Sequence, residues 1–267
     1  MSKVIESKSD HDTFQSDLDK LVEWSNAWQM KFNFDKCKIM HVGREICQEP
    51  YNMGGQMLDV IEKEKDLGVV VSNKLGSSEQ TIEARNKALR MLGVISRKVS
   101  YKSEEVIKKL YCAFVRPHLE YCVQAWAPTY EKDCWLLERV QKRATKMING
   151  FGSLSYAERL KRLDMFSLRY RRLRGDLIEV FKFAQDQEGY LRGFFELSET
   201  NFVRGHQLKI NTRHSRTRLR QSFFSNRVVR YWNDLPSEVV LSGSLSVFKR
   251  KLDEHFKDRG IVYEYFR

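Results

Sequence analysis

The chain has 267 residues, 42% hydrophobic and 12% aromatic, enough to bury a core in one large domain or two modest ones. No run approaches the ~18 uncharged apolar residues of a membrane span, and MSKVIESKSDHD carries no targeting pattern, so an intracellular protein, nuclear or cytoplasmic, is expected. The net charge of +12 sits in the middle: Lys+Arg and Asp+Glu balance at 21 each over residues 1–141 and at 6 each over 233–267, against 20 and 8 over 142–232. So concentrated a surplus favours a polyanion, nucleic acid first and an anionic membrane surface second, over a merely soluble basic surface. Cys37, Cys47, Cys112, Cys122 and Cys134 are irregularly spaced and form neither a disulfide framework nor a metal clip, so reduced thiols are expected.

Asp12-x-x-Gln15 can cap a first helix in which Phe14, Leu18, Leu21, Val22, Ser25 and Trp28 share a face and which ends near Lys31. Residues 37–42 read as a strand, and Tyr51 to Val60, turning at Gly54-Gly55, as a hairpin or loop. Asp66-Leu67-Gly68-Val69-Val70-Val71-Ser72 suits a strand packed on two sides. From Ser77-x-x-Gln80 onward the pattern is helical, first with Ala84, Ala88, Met91, Leu92 and Ile95 inward and Asn86, Arg90 and Arg97 on another face. Ser103 opens the next helix, with Val106, Ile107, Leu110, Tyr111 and Phe114 inward until Pro117 kinks or ends it. Leu136, Val140, Ala144 and Met147 drive a third, stopped by Asn149-Gly150.

Ser155-x-x-Glu158 is a capping box for a short fourth helix, and Ser167 starts a fifth carrying Leu173, Leu177, Val180 and Phe181. Residues 185–203 read as a loop with a short helix at most. The stretch RGHQLKINTRHSRTRLR, residues 204–220, alternates and reads as an extended basic segment. A helix around Phe223 to Trp232 ends at Asn233-Asp234-Leu235-Pro236, and Ser244 caps a last one built on Phe248, Leu252 and Phe256. The expected class is α+β, mainly α.

Arg139, Lys142, Arg143 and Lys146 fall in one stripe apart from the apolar one; such a row can track a phosphate backbone, or equally be a solvated face near a helix carboxyl end. The fifth helix adds Arg169, Arg171, Arg172 and Arg174. The basic segment adds Arg204, Lys209, Arg213, Arg216, Arg218 and Arg220, the last three on one side if it is a strand. His206 and His214 could contact phosphate but are too few for zinc. Cys112 and Cys122 near His118 read as buried thiols rather than a nucleophile pair, and Asp10-His11-Asp12 as helix capping rather than a metal trio.

The order of FQSDLDKLVEWSNAWQMKFNFDKCKIMHVG, EKDLGVVVS, YCAFVRPHLEYCVQAWAP, LLERVQKRATKMINGFGSLSYAERLKRL and SFFSNRVVRYWNDLP resembles the carboxyl-terminal part of LINE-type, jockey-like non-LTR retrotransposon reverse transcriptases. The likeness runs from about residue 3 to 256. It implies a palm remnant over 1–73, with a small sheet and one packed helix, a thumb-like helical domain over 74–150, and a basic helical region over 151–267. Asn33-x-x-Lys36 matches the family's Asn-x-x-Lys, with Lys36 as a general acid toward departing pyrophosphate. Asp66-Leu67-Gly68-Val69 is similar to the strand that supports the primer end.

In that family two Mg²⁺ ions are held by palm aspartates upstream of the matching segment, whereas this chain begins at Met1. The resemblance therefore implies binding without synthesis, no cofactor for this chain although Mg²⁺ serves the intact enzyme, and the amino-terminal half of the polymerase as a further partner. Expected ligands are RNA, an RNA/DNA hybrid or DNA, with no membrane. The expected phosphate contacts are Arg139, Lys142, Arg143 and Lys146, then Arg90 and Arg97, then Arg213, Arg216, Arg218 and Arg220, with Arg169 and Arg172 beside them. The alternative is a helical interaction module or retroelement relic that binds no nucleic acid. Separation from a larger palm is also expected to expose apolar surface around Val69 to Val71, Trp24 and Trp28.

Overall fold

Ser7, rather than Asp12, begins the first helix. In the computed structural model, which describes residues 1–43, 49–185, 193–198 and 205–263, α1 spans Lys8–Ala27. The Ser7 hydroxyl accepts from the Asp10 N–H while the Asp10 carboxylate accepts from the Ser7 N–H, a capping box that leaves Asp12 inside the helix. Phe14 and Leu18 pack with Tyr51, Met53 and Leu58, and Leu21, Val22, Phe32, Phe34 and Ile39 close around them. Trp28 does not join this core. The helix stops at Ala27, leaving Trp28 69% and Trp24 46% exposed.

The strands form three two-stranded ladders rather than one small sheet. β1 (Lys38–Ile39) runs parallel to β4 (Asp59–Val60), and β2 (Asn52–Met53) pairs antiparallel with β3 (Gln56–Met57) around Gly54-Gly55. Gly54 has φ +61, and a Cβ there would stand 2.4 Å from the Phe34 ring. β5 (Lys63–Asp66) pairs antiparallel with β6 (Val69–Ser72). The stretch expected as one doubly packed strand is thus a hairpin turn and its second strand. Leu67 and Gly68 both have positive φ, as a two-residue hairpin loop of the right twist requires, and β6 buries Val69 and Ser72 while exposing Val71.

Met1–Gly76 and Ser77–Arg267 are separate compact units. The first holds 10 Lys+Arg against 13 Asp+Glu and the second 37 against 22, so the whole positive surplus belongs to the second. There α2 (Ser78–Lys98) packs Ala84, Ala88, Leu92 and Ile95 inward and lies against α6 (Glu131–Lys146). Between them come α3 (Glu104–Leu110), a π turn over Tyr111–Val115, α4 (Arg116–Glu120) and α5 (Val123–Trp126). Pro117 does not end this helical run. The widened turn bonds the Arg116 N–H to the Tyr111 carbonyl, so the proline enters a new first turn where its missing N–H is not needed. This shift of register leaves Phe114 52% exposed, against expectation, and buries Val115 and Leu119; the run ends at Cys122 (φ 52).

On α6 it is Leu137, not Leu136, that is buried with Val140 and Ala144. α7 (Tyr156–Arg162), with its expected Ser155/Glu158 box, and α8 (Leu168–Gln185) both pack on α6. The chain continues through α9 (Arg218–Ser222), α10 (Phe224–Arg227), α11 (Val229–Asn233), α12 (Ser237–Val240) and α13 (Leu245–Asp258). Phe181, Val228, Trp232 and Val240 join Phe248, Leu252 and Phe256 in one core, the last three as their spacing predicts. The Arg227 guanidinium holds the Asp176 carboxylate through two bonds of 2.8 and 3.0 Å and donates to the Ser222 and Gln124 carbonyls.

Two substitutions check this packing. Asp176→Ala strands a largely buried guanidinium and is expected to cost about 3–5 kcal/mol in denaturant unfolding, far more than removal of an exposed ion pair. Gly54→Ala adds left-handed strain of about 1–2 kcal/mol and displaces Phe34, so the unfolding midpoint of the first unit should fall.

Candidate nucleic-acid interface

The outer face of α6 is set by what its inner face must bury. Glu138 is fully buried; its Oε1 accepts from the Tyr156 hydroxyl and, at 3.2 Å, from the Leu168 N–H. One turn on, the Gln141 side chain accepts from the Tyr111 hydroxyl at 2.7 Å and donates to Tyr156 Oη and the Phe166 carbonyl, each at 2.9 Å. These bonds reach the π turn, α7 and α8, so the helix cannot rotate without breaking them. Burial pushes the Glu138 carboxyl above its ordinary value, with the Tyr156 hydrogen bond and the nearby Arg172 charge opposing.

With that face turned inward, Lys132, Arg139, Arg143 and Lys146 are exposed on the opposite side at spacings of seven, four and three residues. Trp135, 41% exposed, stands in the same row, with the Arg139 guanidinium 4.4 Å from its ring centroid. Lys142 belongs at the margin instead. It is half-buried, with Nζ 5.1 Å from the Tyr156 ring, and burial lowers its ammonium pKa. α6 carries three carboxylates, and none pairs with the row: Asp133 and Glu138 are buried, and Glu131 pairs with Arg169 at 2.9 Å. Among the described residues Lys132, Arg139, Arg143 and Lys146 make no ion pair.

No family model, curated protein or solved structure matches the chain.

The arginines of α8 have a different setting from the one expected. Arg169 holds Glu131, Arg171 holds Glu120 and Arg174 holds Asp253, each across the fold. Arg172 is only 6% exposed, in the field of Glu138 and Asp176. Arg169 is thus engaged by the Glu131 carboxylate, whereas Arg172 is withdrawn from solvent with Nη1 and Nη2 making no hydrogen bond.

The segment expected to be extended is pinned at one end and helical at the other. His206 is buried with Nε2 3.0 Å from the Trp232 carbonyl, Trp232 Nε1 donates to the Leu208 carbonyl at 2.7 Å, and Asn233 exchanges two bonds of 2.9 Å with the Ile210 backbone. A phosphate-contacting role for His206 is excluded by that burial, whereas His214 is exposed. Arg213 pairs with Glu196 at 2.5 Å. Arg216, Arg218 and Arg220 are exposed, but α9 starts at Arg218, so Arg218 and Arg220 do not share one strand side. Arg90 and Arg97 are exposed on one face of α2. Arg204 and Cys47 lie outside the described residues.

Lys36 is exposed at the end of the single 3₁₀ turn Phe34–Lys36. Asp10 is occupied as a capping residue, and among the described residues no three His, Cys, Asp or Glu side chains gather to hold a metal ion. Cys112 is half-buried and Cys122 exposed, so they are not the pair of buried thiols expected. Among the described residues no helix is long and apolar enough to cross a membrane. Sequence reasoning missed Lys132 and Trp135, although their offsets of seven and four from Arg139 place them on its stripe.

Because the folded-state Glu138 carboxyl titrates above its ordinary 4.5, the folded protein binds this proton more readily than the unfolded chain. The charged form thus opposes folding, and this contribution to stability falls as pH rises from about the ordinary value through the raised one. Glu138→Gln keeps an acceptor for Tyr156 and Leu168, so denaturant unfolding from pH 4 to 8 should show a weaker decline for the variant than for the parent.

Proposed function

We propose that the second unit binds nucleic acid through its phosphates on the outer face of α6. The observation that carries this reading is the exposed row of Lys132, Arg139, Arg143 and Lys146, which among the described residues makes no ion pair with any carboxylate of the helix. It extends ~21 Å along the helix at ~1.5 Å per residue. A cation with a carboxylate beside it has little field left for a partner, as on α8. Cations without one recruit phosphates, and each contact releases condensed counterions. Arg90, Arg97, Arg216, Arg218 and Arg220 would add to the surface as further exposed cations.

The resemblance to LINE-type reverse transcriptases supplies the setting: RNA or an RNA/DNA hybrid as ligand, and a thumb-like role beside a polymerase palm. The described residues hold no carboxylate cluster suited to the two Mg²⁺ ions of that synthesis, so no catalytic step is assigned to them, and Lys36 is left as an exposed turn residue.

Fluorescence anisotropy with single-stranded RNA and with an RNA/DNA hybrid across a salt series tests the reading. Affinity should fall linearly in a double-logarithmic plot. Replacing Arg139, Arg143 and Lys146 by alanine should flatten that slope by about two to three, at about 0.7–0.9 per lost contact. Lys142→Ala should change it less. A flat plot, or a slope unchanged in the triple variant, would leave a helical interaction module as the better description. Primer extension with Mg²⁺ by the purified chain would overturn the assignment of binding alone.

A further inference from the structure

We propose that the α6 face is built for an unpaired strand rather than a duplex, with Trp135 as a base-stacking platform set between phosphate-binding cations. This rests on the nucleic-acid reading of the same face and deepens it by narrowing the ligand, from RNA or an RNA/DNA hybrid to the unpaired strand alone. Trp135 follows Lys132 by three residues and precedes Arg139 by four, so its indole interrupts the cation row at the spacing of one helical turn. It is 41% exposed, although burying a large apolar side chain would stabilise the fold. The Arg139 guanidinium stands over one face of its ring, 4.4 Å from the centroid, so a base would stack on the guanidinium plane or on the other face of the indole, with a positive charge held close by. At the amino-terminal end of the helix the pattern recurs: Tyr130 is 52% exposed, and Lys132 Nζ stands 5.5 Å from its ring centroid.

Charge alone does not distinguish strand forms, because every nucleic acid presents phosphates. An exposed ring does. In a duplex the faces of the bases are covered by their neighbours, so an indole on the binding face finds only sugar and phosphate and contributes little. In an unpaired strand each base offers a π face, and alternating rings and cations can take base and phosphate in turn. The cations recur every ~4.5–10 Å along the axis, and the whole row is long enough for a site of about four to six nucleotides. Stacking tolerates every base, so the expected specificity is for strand form and not for sequence.

The test uses the full chain and labelled oligonucleotides of about 12 nucleotides, one an unstructured uridine or thymidine run and the other a duplex of equal length. Trp135→Ala should weaken the single-strand complex about 5- to 150-fold, the range for losing one base stack, and leave the duplex complex within about twofold. Trp135→Phe should recover most of the loss, and the salt slope should match that of the parent, since no phosphate contact is removed. Circular dichroism of both variants establishes that the exposed position is neutral to folding. Equal losses on both ligands, or no loss on the single strand while binding keeps its steep salt dependence, would overturn the stacking role and leave the phosphate reading standing. Absence of salt-dependent binding to either ligand would overturn both.

Discussion

A carboxyl group taken out of water is tolerated only where hydrogen bonds replace the ones it has lost, and Glu138 at the centre of α6 is such a group. The Tyr156 hydroxyl from α7 and the Leu168 N–H at the start of α8 both donate to Oε1, while Oε2 stays buried without a hydrogen-bond partner, in line with the raised carboxyl; Gln141 extends the network one turn later toward Tyr111 and Phe166. The π turn, α7 and α8 thereby converge on one turn of α6. Rotation of that helix by a single position would strip Glu138 of its donors and drive Arg139 toward the core. The orientation of the outer face thus follows from the polar requirement of the inner one, and apolar packing by Leu137, Val140 and Ala144 adds area without setting the angle.

The second unit uses the same residue type for two purposes, separated by what stands opposite. Arg169, Arg171 and Arg174 face Glu131, Glu120 and Asp253, and Arg227 faces Asp176 while also satisfying two backbone carbonyls. The Arg227 pair is mostly shielded from water, so breaking it would leave a charge without compensation; the more exposed pairs contribute less individually. By pairing with Glu131, Arg169 also offsets the charge of the one exposed carboxylate of α6. A structural ion pair on one helix in this way sharpens the positive potential on another.

The first unit is built on fewer buried side chains. Its core is α1 against Tyr51, Met53 and Leu58, and its three short ladders share no continuous sheet. Phe34 lies across Gly54, which ties the turn after α1 to the β2–β3 hairpin and explains why that turn needs a residue without a side chain. Trp24, Trp28, Met30 and Val71 remain exposed.

Much of the local architecture was legible in the chain alone. Ser103, Ser155 with Glu158, and Ser244 start helices where their patterns predict, Gly54-Gly55 turns a hairpin, and Phe248, Leu252 and Phe256 face inward. These signals are complete within three or four residues, because a cap or a helical face is formed by near neighbours in sequence. The site was half legible for the same reason: the spacing of Arg139, Arg143 and Lys146 placed them on one stripe. Which cations stay open to a ligand was not legible. Glu131 lies 38 residues from Arg169 and Asp253 lies 79 from Arg174, and no local pattern records such pairings. The clamp of Trp232 and Asn233 on residues 206–210 and the π turn that carries the helix past Pro117 are likewise settled by packing. Both depend on which distant groups can satisfy a buried polar atom, a question that arises only once the chain has folded.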